Sequence, residues 1–191
     1  FPADGEYELN IGNMAVAPPL PIPGPPVGGP LQSSRPPGVF GGNMDVRELT
    51  AGSTVYLPVF HQGALFYAGD PHSVQGGGEV GGTAVEHSAS ATLRFVLHKG
   101  KTIAGPRAET ATDYIVMGID VDLNRAMRLA VQHAVDFLVS EFGMNASDAY
   151  SLTSLAVDFN VGEAVNDTQV IVGKIPKKIF HKDFLLKRGT R

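Results

Sequence analysis

The chain has 191 residues, 43% hydrophobic and 18% charged, with a formal net charge of −4 and a sequence pI near 5.8. Such a length suits one domain or two small ones, and a chain of this size hides roughly 70% of its unfolded surface, enough for a real core. The apolar fraction excludes a disordered protein, the acidic balance argues against nucleic acid or an anionic membrane as partner, and the absence of cysteine removes disulfides, thiolate metal sites and cysteine nucleophiles.

No run reaches the roughly 18 to 20 apolar residues of a membrane helix. Phe1 is not an initiator methionine, and no charged region followed by an apolar one succeeds it. The N-terminus is therefore read as processed, trimmed or internal to a longer chain, and the default compartment is the cytoplasm. Ten of the fourteen prolines fall in the first 37 residues. Proline lacks an N–H and fixes φ, so residues 1–40 are expected to be an extended or irregular segment. Leu20, Ile22, Val27 and Leu31 would pack it on the domain formed by 41–191.

Beyond Phe40 the pattern turns β-like. Ser53 to Val59 predicts a strand whose Pro58 places its end at a sheet edge. His61-Gln62-Gly63 reads as a short loop, and Ala64 to Ala68 as a strand buried on both faces. A glycine-dense loop is expected from Gly69 to Gly82. From Val85 to Leu97 apolar residues recur with period 2, which predicts one long strand with His87 on its core face and Glu86 on the other. Thr112 to Ile119 is a further strand. Asp122 caps a helix from Leu123 to Phe142, with Leu123, Met127, Ala130, Ala134, Leu138 and Phe142 as its apolar stripe, and Gly143 ends it. Asn145 and Asp148 open a second helix that ends near Ala156. Val157 to Val161 and Val170 to Ile175 form a hairpin around Ala164–Asp167, and a basic surface tail begins at Lys177. This order predicts an α+β fold: an antiparallel β-rich, sandwich-like core with a helix pair and a C-terminal hairpin.

The chemistry-bearing residues gather among the glycines. Gly76, Gly78 and Gly81 formally satisfy the dinucleotide-binding G-x-G-x-x-G spacing, but a period-2 strand follows them where that fingerprint needs a helix. No Lys-Ser/Thr follows, so they are not a phosphate-binding P-loop either. Asp70-x-His72 offers a carboxylate oxygen and an imidazole nitrogen, ordinary ligands for zinc, and Asp45 in Gly41–Asp45 is a third oxygen donor. Glu79 or Glu86 would then serve as general base on a metal-bound water, whose pKa the cation lowers to about 7. The bland alternatives are a turn aspartate and a loop histidine for Asp70 and His72, a turn role for Asp45, and a solvated strand face for Glu86. His87 reads as a core histidine, while His61, His98 and His181 read as surface loops. Ser33-Ser34, set among prolines, lacks the turn a serine nucleophile needs.

The run ALFYAGDPHSVQGGGEVGGTAVE, Ala64 to Glu86, resembles the signature of the acetamidase/formamidase family. Gly41–Asp45 with Leu49–Val59, the earlier NMAVAP of Asn13–Pro18, and the later Asp148–Leu152 and Ile175–Lys177 are similar to the same family. The resemblance covers nearly the whole chain but only the C-terminal half of the family's length. It implies hydrolysis of a small carboxamide, or of a cyclic amide such as a γ-lactam, in an α+β protein with a bound divalent metal, most often zinc. By motif position it matches Asn43, Asp45, Asp70, His72, Gln75, Glu79 and Glu86. The roles are our own inference from their chemistry: Asp70, His72 and Asp45 as metal ligands, Glu79, Glu86 and Gln75 as catalytic groups, and Asn43 with the backbone of Gly76 and Gly78 at the substrate and its oxyanion. The resemblance also implies a companion N-terminal half, from the same gene product or a second chain, and a homo-oligomer. A non-catalytic half that pairs with a separate chain is the alternative.

Overall fold

The computed structural model describes residues 9–19 and 35–180. Leu20, Ile22, Val27, Leu31, Ser33-Ser34 and His181 lie outside the described residues. Two antiparallel sheets and two helices make an α+β fold, as the sequence predicts. The first sheet has the order β2(Gly41–Asn43)-β1(Asn10–Ala15)-β4(Tyr67–Val74)-β5(Val85–Glu86). The second has the order β3(Thr54–Tyr56)-β6(Arg107–Glu109)-β7(Asp113–Asp120)-β9(Gln169–Pro176)-β8(Asp158–Glu163). Helices α1(Leu123–Phe142) and α2(Ala146–Ala156) stand between β7 and β8 in the chain. No helix among the described residues is long and apolar enough to cross a membrane.

The central sheet is buried on both faces, and the alternation of its strands sorts the two cores. Ile115 and Met117 of β7 and Val170 and Val172 of β9 join Met14, Met44, Val46 and Leu49, which packs sheet on sheet. Tyr114 and Val116 of β7 and Ile175 of β9 turn the other way, toward Ala134, Phe137, Leu138 and Ala149 of the helices. The result is three layers: helices, a five-stranded sheet, and the four-stranded sheet that carries the site.

Both helices match their predicted bounds because their caps are local. Asp122 accepts a hydrogen bond from the Arg125 amide, and Asn145 does the same for Asp148. Gly143 closes α1 at φ 68°, a conformation that favours glycine. The buried stripe differs from the expected one. Ala126, Ala130, Ala134, Phe137 and Leu138 are buried, whereas Leu123 and Met127 are exposed. Gly118 of β7 is the cause: a Cβ there would run into the backbone of Ala126 and Ala130. The helix therefore lays its small-residue ridge directly on the strand and turns its bulkier residues aside.

Four expectations need correction. Residues 1–40 are not all irregular: Asn10–Ala15 forms β1, which lies between β2 and β4 inside the first sheet. The strand expected over Ala64–Ala68 starts at Tyr67 instead, since Ala64 and Leu65 take positive φ values of 56° and 52° that break an extended chain. It continues through what reads as a glycine loop, so Asp70 and His72 stand on a strand. Finally, the long strand Val85–Leu97 shrinks to Val85–Glu86, and His87 is exposed, not in the core. Period-2 patterning marks a segment fit for a sheet, but a strand forms only where a neighbour supplies the ladder.

Candidate functional site

The three segments that carry the polar signature meet at one place on the first sheet. Cross-strand pairing does most of the work. Asn10 of β1 and Glu86 of β5 both lie in register with His72 of β4, so the side chains of 72 and 86 share a face. Asp45 arrives by a tight bend after β2, where the amides of Met44 and Asp45 both donate to the Gly12 carbonyl. Glu79 is delivered from the other sheet: Gly78 forms a parallel bridge with Glu163 at the bulged end of β8, donates to the Gly162 carbonyl and accepts from Ala164.

Six non-glycine residues among those described have positive φ, and Asp45 (47°), Asp70 (63°) and Glu79 (44°) are half of them. A left-handed conformation costs an L-residue about 1–2 kcal/mol. Three candidate carboxylates held this way are a concentration of strain of the kind found at functional sites.

His72 is the hub. It is 1% exposed. Its Nδ1 faces Gln75 Oε1 at 3.1 Å, and that oxygen also accepts from Asn10. The Gln75 amide nitrogen donates to the Asp45 carbonyl, which fixes which end of the amide meets the ring. An oxygen at Nδ1 requires the proton there, so in the neutral ring Nε2 carries the lone pair. Nε2 lies 3.3 Å from Asp70 Oδ1 and 3.3 Å from Glu86 Oε2, and makes no hydrogen bond. A lone pair facing two carboxylates calls for a proton or a cation between them. Burial pushes the His72 pKa down, but the Gln75 bond and the charges of Asp70 and Glu86 outweigh it and raise the value.

Asp45 is fully buried. Its Oδ2 accepts from Asn43 at 2.7 Å and from Asn166 at 2.8 Å, while Oδ1 has no hydrogen-bond partner. Desolvation, then the charges of Glu79, Glu163 and Asp70, raise its pKa from 3.8 to about 8. Two triads thus share one histidine. Asp45, His72 and Glu79 place ligand atoms within 4.8 Å of one another, and so do Asp70, His72 and Glu86. Gly12 forms the floor: a Cβ there would touch Asp45 Oδ1 and lie 2.9 Å from both Asp70 Oδ2 and His72 Cε1. Two orphaned buried atoms, Asp45 Oδ1 and His72 Nε2, and a space kept open by a glycine fit a cation held by mixed nitrogen and oxygen donors.

The structure brings Asn43, Asp45, Asp70, His72, Gln75, Glu79 and Glu86 together. It gives several of them particular places. Gln75 stands behind His72 and holds its tautomer. Asn43 braces Asp45. Glu79 is buried, whereas the Glu86 side chain is 52% exposed at the rim. Gly78 does not serve as expected, because its N–H is engaged by the Gly162 carbonyl and is closed to an oxyanion. The Gly76 carbonyl accepts from Glu79 in a turn. An open cleft of about 450 Å³ beside the cluster is lined by Asn13, Arg35, Asn43, Tyr67, Gly69 and Asp70.

Sequence reasoning missed Glu163 and Asn166. Glu163 is fully buried, and its Oε1 accepts from the amides of Val165 and Asn166 at 3.3 and 2.6 Å. Desolvation raises its pKa from 4.5 to about 7 against those two bonds. Nothing local in the sequence singled Glu163 out, since Asp158 and Asp167 stand in the same hairpin.

Comparison with known proteins shows the family and the fold. The sequence pattern described as the acetamidase/formamidase family matches residues 32–182. A formamidase of Methylophilus methylotrophus is 32% identical over 142 residues, 63% of this chain and 35% of that protein. The acetamidase of Mycolicibacterium smegmatis is 47% identical over 45 residues. Among solved structures, the acetamidase from Yersinia enterocolitica matches with a TM-score of 0.83 and 32% identity, over 92% of this chain and 51% of that one. A predicted acetamidase/formamidase from Thermoanaerobacter tengcongensis matches with a TM-score of 0.77 and 25% identity, over 97% of this chain and 57% of that one. The chain therefore spans about half the length of these solved relatives, and about a third of the curated formamidase.

Proposed function

This chain belongs to the acetamidase/formamidase family, and on that premise we propose that it carries the hydrolytic cluster of an enzyme that cleaves the C–N bond of a small amide. The substrate would be a linear amide of the formamide or acetamide type, or a γ-lactam. The observation that carries this reading is the convergence on His72 of four carboxylates, three from the 70–86 stretch and Asp45 from the bend after β2, with Nε2 left open. A divalent cation, zinc first, would be held by His72 with Asp45 and Glu79, or with Asp70 and Glu86. When bound it supplies electrophilic activation of water and of the amide carbonyl.

The remaining work falls to the chain's own groups. Gln75 keeps the proton on Nδ1 and the lone pair on Nε2. Asn43 and Asn166 occupy one oxygen of Asp45 and leave the other facing the cluster. With the cation on His72, Asp45 and Glu79, Glu86, at the rim and reachable from solvent, is the group to take the proton of the attacking water; with it on His72, Asp70 and Glu86, that group is Glu79. Hydroxide adds to the amide carbon, the C–N bond breaks, and that proton leaves on the amine nitrogen. Because the chain spans half of its solved relatives, the reading includes a companion polypeptide that completes the enzyme.

The test measures ammonia release from formamide and acetamide and ring opening of a bicyclic γ-lactam, with and without chelator. Metal content of the wild-type chain and of His72→Ala is measured alongside. The expected result is chelator-sensitive turnover, with metal and activity lost together in His72→Ala and the far-ultraviolet circular dichroism retained. Turnover that survives both chelator and His72→Ala would overturn the assignment. A metal-loaded, companion-completed protein that releases nothing would favour the non-catalytic half instead.

A further inference from the structure

Beyond Glu86 the chain does something unusual for a folded domain. Residues 87–97 are exposed one after another, and within 89–97 no backbone group bonds to another backbone group among the described residues. The side chains are not those of a solvated loop. Leu93 is 41%, Phe95 69% and Leu97 68% exposed, and they alternate with Thr92, Arg94 and Val96. Alternation with large apolar residues on one side is the pattern of a strand that covers a core. Backbone groups with no backbone partner among the described residues, beside an apolar stripe, are what native proteins take care not to leave open.

One ring contact and the continuity with β5 tie this segment to the body of the domain. The Phe95 ring meets Phe66 edge to face at 5.0 Å, and Phe66 packs against the Met14–Met44 core and against Ala15, Val16 and Phe40. A chain laid over Phe95 would therefore extend an existing core. The segment also continues directly from β5, which is the outermost strand of the site-bearing sheet. Its outer neighbour would stand beside Glu86 and wall the open side of the His72 cluster.

We propose that residues 89–97 are the docking edge for the polypeptide corresponding to the half of the solved relatives that this chain does not span. That polypeptide adds a β-strand along 89–97 and lays apolar side chains on Leu93, Phe95 and Leu97. The proposal rests on the reading above that a companion completes the enzyme. The occupant is argued from length: the chain covers 92% of itself but 51% of the Yersinia acetamidase at a TM-score of 0.83. The fold on this side is thus shared, and the relatives carry a further half of their length that this chain does not supply.

The experiment co-expresses the full chain with the portion of the Yersinia enterocolitica acetamidase that it does not span, as a separate polypeptide. Mass is read by light scattering and amide exchange over 87–98 by hydrogen–deuterium exchange. The same is done for Phe95→Asp and Leu97→Asp. The expected result is a 1:1 complex with protected amides at 89–97. Each variant should weaken it by about 30-fold or more, as for a buried anchor, while the amides of α1 stay protected. A 1:1 complex whose 89–97 amides exchange as in the lone chain would overturn the docking edge and leave the companion reading standing. A folded chain that forms no complex at micromolar concentration would overturn both. Protection of 89–97 in the chain alone, at the mass of a dimer, would give the edge to a second copy and overturn the occupant.

Discussion

The side-chain amide of Asn166 reaches Asp45 across 121 positions of sequence and donates to its Oδ2 at 2.8 Å, out of contact with water. The bond matters because Asp45 is buried among other acids and can hold one oxygen toward the cluster only if the other is occupied. Glu163 supports it in turn by accepting from the Asn166 amide. Asn166→Ala removes one of two donors to that oxygen, Asn43 remaining, and should cost about 0.5–1.5 kcal/mol, the net worth of one hydrogen bond, read as a lower urea midpoint with an unchanged slope. Glu163→Gln, which keeps an acceptor at Oε1, should stay close to wild type, whereas Glu163→Ala should resemble Asn166→Ala. Equal loss in Gln and Ala would mean that the carboxylate charge, not its acceptor, is what the loop needs.

Gln75 sets the histidine tautomer. Gln75→Leu removes the oxygen at Nδ1 and leaves the ring free to place its proton on Nε2. Loss of such an orienting partner typically lowers metal affinity by about 10–100-fold. Titration of the metal-free protein with zinc should show that loss, with nitrogen NMR reporting a mixed tautomer. An unchanged affinity would remove Gln75 from its positioning role.

Stability of the metal-free protein should fall as pH rises. Asp45 and Glu163 keep their protons in the fold up to about 8 and about 7, against 3.8 and 4.5 for the free groups. Below pH 4 both states are protonated and nothing changes. Above it the unfolded chain ionises first and binds fewer protons than the native one, so the unfolding free energy declines between about pH 4 and pH 8. A cation at the cluster favours the ionised carboxylates and should flatten that decline. Urea midpoints at pH 5 and pH 8, with and without zinc, check both statements. A midpoint that rises with pH in the metal-free protein would contradict the first.

Two glycines separate site from scaffold. Gly12→Ala puts a methyl group against Asp45, Asp70 and His72, so metal binding should be lost at a stability cost of about 1–3 kcal/mol, typical of overpacking. Gly118→Ala drives a methyl group into the α1 backbone, which cannot give way as a side chain would. It should cost at least as much in thermal unfolding and leave the zinc affinity of the folded fraction unchanged. The reverse ranking of metal loss would show that Gly12 is not the floor of the cluster.

Much of this protein was legible in its sequence. The helices were found to the residue because Asp122, Gly143 and Asn145 act on backbone groups within four positions. The β7 and β9 strands were found because each is a short run of mostly apolar residues, as a strand buried on both faces requires. The polar signature also named the residues that gather at the site, since Asp70, His72, Gln75, Glu79 and Glu86 lie within 17 positions of one another. What the sequence could not supply is what depends on distant neighbours. Only the register of β4 against β5 shows that Glu86 faces His72. Only the β8 bulge explains why Gly78 is consumed and Glu79 delivered. Asn166 carries no local mark because its partner Asp45 is 121 positions away, and Glu163 none because it serves by holding the loop of Asn166. The segment 89–97 shows the same limit from the other side. Its alternation states that it can be a strand, but a ladder of hydrogen bonds needs a second chain segment, and tertiary structure alone decides whether one is there.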